Sequence, residues 1–154
     1  MMKIRQAKTS EWSILQKLND EVFVDNASYD SDLIINWAVS NAGKKYFQKL
    51  VNDPNSICLV AENQKGNLVG YIAGSLKLVD YRKSKYFEIE NMGVSPQHRS
   101  QGVGTGLMEQ CLSQAKQRGY TKAYVNSYFD NRKAISFYKK NGFNEIDVSL
   151  EKTL

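Results

Sequence analysis

Residues 97–106 read QHRSQGVGTG, and LMEQCLSQAKQRGY, with helical spacing, follows without a break. Gly102, Gly104 and Gly106 stand at every second position, close to Arg99. Such a stretch can hold an anion. The first turn of a helix carries unpaired N–H groups and a partial positive charge, which together attract phosphate. Glycine removes the Cβ atoms that would keep an anion off the backbone, and it permits positive φ where a turn needs it. Arg99 can add a formal charge. Two familiar phosphate loops are excluded by spacing: a dinucleotide fingerprint would need glycine where Leu107 stands, and a Walker loop would need Gly-Lys-Ser/Thr. What stands here is Arg99-x-x-Gly102-x-Gly104, with a purely structural glycine-rich helix start as the competing reading. The single histidine, His98, and the separated Cys58 and Cys111 make neither a metal site nor a Cys-His pair.

The elements that would position this loop can be read from periodicity. KIRQA is a short first strand, and TSEWSILQKLNDEVF places Trp12, Leu15, Leu18 and Val22 on one helical face, capped by Thr9 or Ser10. SDLIINWAVSNAGKKYFQKLVND reads as a second helix, broken near Gly43 and ending before Pro54. SICLVAE and LVGYIAGSLKLV form a hairpin, and KYFEIENMGV extends it. In that third strand period two puts Glu88, Glu90, Met92 and Val94 on one face against Phe87, Ile89 and Asn91. Gly104–Arg118 is a helix with Leu107, Met108, Cys111, Leu112 and Ala115 buried, and KAYVNSY is a strand. DNRKAISFYKKNG is a helix with Asp130 at its start and Gly142 at its C-terminal cap, and FNEIDVSLEKTL is a last strand. The order is β-αα-βββ-α-β-α-β, a mixed α/β domain.

Composition bounds the classes. The 154 residues suit one domain, 1–154, with no repeat or linker. With 42% hydrophobic and 24% charged residues the chain has globular composition, and no apolar run is long enough for a membrane. Two cysteines at apolar positions and no apolar leader fit a cytoplasmic protein with reduced thiols. A net charge of +5 permits an anionic partner, but the 21 Lys and Arg residues are scattered, so nucleic acid is not favoured.

ENMGVSPQHRSQGVGTGLM resembles motif A of the GCN5-related N-acetyltransferases (GNAT), whose signature is Gln/Arg-x-x-Gly-x-Gly/Ala. DNRKAISFYKKNGF is similar to the family's motif B, with its Asn, Ala, Phe-Tyr and Gly-Phe landmarks. The resemblance implies the GNAT fold, a six- to seven-stranded, mostly antiparallel sheet with a parallel pair splayed at the cofactor site. It implies acetyl-CoA as cofactor and acetyl transfer to a primary amine by direct attack on the thioester. The pyrophosphate would lie on Arg99, Ser100 and the amides of Gln101, Gly102, Val103, Gly104, Thr105 and Gly106. Pantetheine would meet the backbone of Met92, Gly93 and Val94, with a bulge expected at 91–93. Glu88 or Glu90 would be the base, the N–H near Met92 or Val94 would polarise the thioester oxygen, and Tyr138 would serve the departing thiolate. Asn131 would reach the cofactor arm or only open the helix, and His98 takes a packing position. A non-catalytic acyl-CoA sensor remains the alternative.

The acceptor side is less explicit. In the family the segment between the first two helices lines it, and NDEVFVDNASYDSDL carries acids without Lys or Arg. Asp25, Asp30 and Asp32 are the candidate contacts for a cationic acceptor, a small molecule or a lysine-like amine; a solvated acidic loop is the competing reading. The chain ends soon after the last expected strand, which leaves the site open or completed by a second subunit in a homodimer.

Overall fold

The computed structural model describes residues 2–154. Its centre is a sheet of five strands in sequence order: β1 (Lys3–Gln6), β2 (Ile57–Glu62), β3 (Leu68–Lys77), β4 (Tyr86–Val94) and β5 (Lys122–Val125). The pairs β1–β2, β2–β3 and β3–β4 are antiparallel, and β4–β5 is parallel. A parallel neighbour requires a crossover, and helix α3 (Val103–Gln117) supplies it. Helices α1 (Trp12–Asn26) and α2 (Asn41–Asn52) lie on the opposite face, and α4 (Arg132–Lys140) follows β5.

The two faces bury separate cores. Ile57, Leu59, Ile72, Phe87 and Ile89 pack with Leu107, Met108 and Cys111 of α3, joined by the partly buried Phe137, Tyr138 and Phe143. Cys58, Val60, Tyr71 and Ala73 pack with Leu15 and Leu18 of α1 and with Phe47, Leu50 and Val51 of α2. Both thiols are free, and burial pushes each up to about 12, which leaves them unreactive. No helix among the described residues is long and apolar enough to cross a membrane.

Four expectations are corrected. A short 3₁₀ turn, Thr9–Glu11, precedes α1, and its opening is held by the Glu11 carboxylate accepting from the Lys8 N–H (2.7 Å) rather than by Thr9 or Ser10. The second helix begins only at Asn41, capped by Ser40, and Gly43 lies in its first turn rather than at a break. The cap of α4 is Asn131, whose Oδ1 accepts from the Ala134 N–H at 3.1 Å, not Asp130. Gly142, at φ 89°, does close that helix. Finally, residues 143–154 pair with no strand, so the sheet has five strands rather than six or seven.

Candidate active site

The site is built where β4 and β5 part company. Their pairing runs from Tyr86–Lys122 to Ile89–Val125 and stops there. At the next residue the β3–β4 register slips: Gly74 faces Ile89, Ala73 faces Asn91, and Glu90 is left as the extra residue. This is a β-bulge, one residue ahead of the expected 91–93 position. It also turns the rest of the strand over. Phe87, Ile89, Met92 and Val94 share the α3 face. Asn91 instead donates from Nδ2 to the Tyr46 hydroxyl on α2 at 2.8 Å. The expected grouping of Met92 and Val94 with the glutamates is therefore corrected.

Beyond the bulge one edge of β4 faces the gap. The Val94 carbonyl is turned into it, where Arg99 Nε donates at 2.8 Å. Backbone groups two residues apart point the same way along a strand, so the Met92 N–H and C=O face the gap as well. Those groups can receive an added chain of amides.

The loop at the mouth of the gap carries the free donors. Ser100 and Gly102 have φ of 60° and 81°, which fold the chain back before α3 starts. No backbone N–H from Gln101 to Thr105 has a partner among the described residues, and Gly102 caps α3 without a side chain. The three glycines have different reasons. Gly102 supplies the left-handed turn, and a Cβ there would meet nothing. Gly106 supplies close packing, since a Cβ would fall 2.9 Å from Ile4 Cδ1 of β1. Gly104 is the one whose Cβ would sit in ordinary contact, 3.5 Å from the Phe137 ring and 3.8 Å from Met92 Cε. Neither strain nor crowding requires glycine at 104, which leaves access to the free amides as its physical use. An anionic, amide-bearing cofactor fits this cradle: bare N–H groups at the helix start and an open strand edge beside them.

Arg99 is not idle. Its Nη2 pairs with Asp25 Oδ2 at 2.7 Å, so Asp25 is tied to the loop. Asp30 accepts from the Tyr128 hydroxyl at 2.8 Å, and burial with that contact pushes Tyr128 up to about 12. Of the three candidate acceptor acids only Asp32 keeps its carboxylate uncommitted among the described residues. It borders a shallow bay of about 280 Å³ lined by Phe23, Leu33, Ile34 and Trp37. Phe23 stacks on Trp37 at 5.6 Å, and Trp37 meets Tyr46 at 5.7 Å.

The glutamates lie on the α2 side of the sheet in different states. Glu88 pairs with Lys77 Nζ at 3.4 Å. Glu90 accepts from Ser75 Oγ at 3.2 Å, and burial, against that hydrogen bond and with help from Glu88, holds its carboxyl above the ordinary 4.5. Tyr138 lies on the α3 side, with Phe137 at 5.5 Å and Phe143 at 5.8 Å. Its hydroxyl has no hydrogen-bond partner among the described residues, and burial pushes it up to about 12. His98 holds Ser95 Oγ at 2.8 Å through Nδ1 within the turn 96–98, a structural contact as expected.

Several residues of the site escape the sequence reading. Ser75, Tyr46, Trp37 and Phe23 come from elements read only as scaffold. Asn91 keeps its Oδ1 buried and unpaired beside Tyr46. One signal is available: the apolar positions 87, 89, 92 and 94 step by two, three and two, which marks an inserted residue.

Comparison with known proteins agrees with this geometry. The sequence model of the acetyltransferase (GNAT) family matches residues 12–143. "Uncharacterized N-acetyltransferase YhfO" of Bacillus subtilis is 25% identical over 94% of this chain and 91% of its own. "Uncharacterized N-acetyltransferase MJ1207" of Methanocaldococcus jannaschii is 31% identical over 68% of this chain; the match spans 45% of that protein, under half its length. Among solved structures, a point mutant of the BH1408 protein from Bacillus halodurans superposes with a TM-score of 0.87 at 22% identity, covering 99% of each chain. AAC(6')-Iy, in complex with the bisubstrate analog CoA-S-monomethyl-acetylneamine, gives 0.78 at 14% identity over 100% of this chain and 98% of its own. The chain belongs to the acetyltransferase (GNAT) family, whose cofactor is acetyl-CoA.

Proposed function

We propose that this chain transfers the acetyl group of acetyl-CoA to a primary amine by direct attack. The observation that carries the reading is the coincidence, at one point of the sheet, of the unpaired loop amides, the open β4 edge and the bulged Glu90. Acetyl-CoA, when bound, supplies an activated acetyl thioester. The amides from Gln101 to Thr105 would hold its phosphates, with Ser100, Gly106 and the uncommitted N–H groups of Arg99 flanking them. The backbone of Met92, Gly93 and Val94 would hold its amide-bearing arm, and the free Nδ2 of Asn131 could add a contact at the start of α4.

The chain's own residues must then manage two protons. An alkyl amine with pKa near 10.4 is neutral in roughly one molecule per thousand at pH 7, so a group that accepts its proton is useful. Glu90 is the better placed carboxylate. Its raised affinity for protons makes it a stronger base than an ordinary carboxylate, whereas Glu88 already has Lys77 as an ion-pair partner. A backbone N–H at Met92 or Val94 would stabilise negative charge developing on the acyl oxygen. Tyr138 keeps its proton at neutral pH because burial opposes ionisation. Since a thiol is more acidic than a phenol held near 12, Tyr138 Oη serves the departing sulfur chiefly as a hydrogen-bond donor rather than as the proton's source.

The bay beside Trp37 favours an amine joined to an apolar or aromatic body, with Asp32 at its rim for a second positive charge. The unpaired Asn91 Oδ1 could accept an amine N–H. Thiol release from acetyl-CoA against a panel of amines tests this. Turnover is expected, faster with apolar-bodied amines than with short polar ones. Cofactor binding without turnover on any amine would support the sensor instead.

A further inference from the structure

The 21 Lys and Arg residues look scattered along the chain, but the fold gathers part of them at one pole. Residues 77–85 lead from the end of β3 into β4, and residues 116–122 lead from the end of α3 into β5. These two segments are joined side by side. The Thr121 N–H donates to the Lys85 carbonyl at 2.9 Å, and the Lys85 N–H donates to Thr121 Oγ1 at 3.0 Å. Together they carry seven Lys and Arg against Asp80 alone, a net +6. The whole chain is +5, so everything outside the two segments sums to −1. The basic character of the protein therefore belongs to this pole.

Most of that charge is uncommitted. Lys77 pairs with Glu88, and Arg118 Nη1 donates to the carbonyls of Pro54, Asn55 and Ser56. Arg82, Lys83, Lys85, Lys116 and Lys122 are exposed, and none has an ion-pair partner among the described residues. Aromatic rings hold three of them in place. Arg82 and Lys122 lie 5.2 and 6.0 Å from the Tyr86 ring, and Lys85 lies 4.5 Å from that of Tyr120. Tyr81, in the same loop, is 85% exposed. The pole is also separate from the cofactor cradle. The cradle precedes Val103 and the pole follows Gln117, so the length of α3, about 22 Å, lies between them.

We infer that this pole binds a single-stranded nucleic acid, with phosphates on Arg82, Lys83, Lys85, Lys116 and Lys122 and a base on Tyr81. Like charges gathered this closely repel one another unless an anion meets them. Lysine is depleted at protein–protein interfaces, so a surface whose unpaired charges are mostly lysine suits a phosphate backbone better than an acidic protein. An exposed ring adds stacking with a base that is not already paired. This binding rests on the charge of the pole and does not depend on acetyl transfer.

Fluorescence anisotropy of the full chain with labelled 20-residue oligothymidylate and oligouridylate tests the inference, the two arms separating DNA from RNA. Binding of either strand should weaken about 100-fold between 50 and 200 mM salt, as five phosphate contacts on a single strand require. Lys83→Glu/Lys122→Glu should bind at least about tenfold more weakly, and Tyr81→Ala about fivefold or more. Lys17→Glu/Lys140→Glu makes the same change in net charge away from the pole and should bind within about twofold of the wild type. Far-UV circular dichroism checks that each variant is folded. Coenzyme A, whose cradle lies at the other end of α3, should not displace the strand. No binding to either strand overturns the inference, as does an equal loss in the two double variants. Displacement by coenzyme A, an unchanged affinity in Tyr81→Ala, or tighter binding of oligoglutamate of equal charge overturns it as well.

Discussion

Replacing Glu90 by Gln isolates the proton-accepting step. Glutamine keeps an oxygen for the Ser75 hydroxyl and nearly the same volume, so the bulge should persist. General base catalysis contributes about 10²–10⁴-fold. Glu90 is exposed enough for water to replace it in part, which places the expected loss in kcat/KM near the lower end, about 10²-fold at pH 7, or about 2.7 kcal/mol. The sign of the pH dependence follows. The wild type loses activity as falling pH protonates Glu90, above the ordinary 4.5 because burial raises it. The variant lacks that limb. As pH rises toward 10 the amine becomes neutral unaided, so the deficit should shrink. Glu88→Gln, removing a carboxylate already paired with Lys77, should cost only a few-fold. Initial rates of thiol release across pH 6–10 give both comparisons. A deficit that is the same at every pH, or a Glu88→Gln loss equal to that of Glu90→Gln, would refute the assignment.

Tyr138→Phe should lower kcat by about 10²-fold or less while leaving cofactor affinity nearly unchanged; equal rates would remove the hydroxyl from the mechanism. Gly102→Ala places a Cβ at φ 81°. That conformation costs roughly 1–2 kcal/mol, hence a Tm lower by about 2–8 °C for a chain of this size, and an unchanged Tm in a thermal melt would contradict the turn geometry. Arg5 donates to Glu11 at 2.8 Å and, more than any other neighbour, holds that carboxyl below the ordinary 4.5. A depressed carboxylate stabilises above its unfolded value, about 4.3, and the benefit is lost as pH falls through the folded one. Glu11→Gln should therefore lower Tm at pH 7, with the gap closing in acid; a gap that widens on acidification would reverse the sign.

The parts of the site legible in the sequence are those written in local chemistry. Gly102 marks a left-handed turn that favours glycine, Gly104 marks a helix start left bare of side chain, and α3 reads from its stripe of Leu107, Met108 and Cys111. The bulge escapes a strict period of two carried through Glu90, although Ile89 and Met92, both apolar and three apart, already contradict that period. Asp25 and Asp30 read as an acidic patch because charge is visible in a sequence and partners are not. Arg99 and Tyr128 lie 74 and 98 residues further along; through the fold Arg99 pairs the charge of Asp25, and the Tyr128 hydroxyl donates a hydrogen bond to Asp30. The terminal segment reads as strand-like from its alternation, but a strand needs a hydrogen-bonded neighbour, and residues 143–154 pair with none of the five strands.

Titration calorimetry with coenzyme A tests most directly whether the bare amides before α3 form a phosphate cradle. The wild type should bind with measurable heat, and Gly104→Val should bind at least about tenfold more weakly, a loss of about 1.4 kcal/mol, with little change in Tm. No heat with folded wild-type protein, or equal affinity in Gly104→Val, would contradict the account.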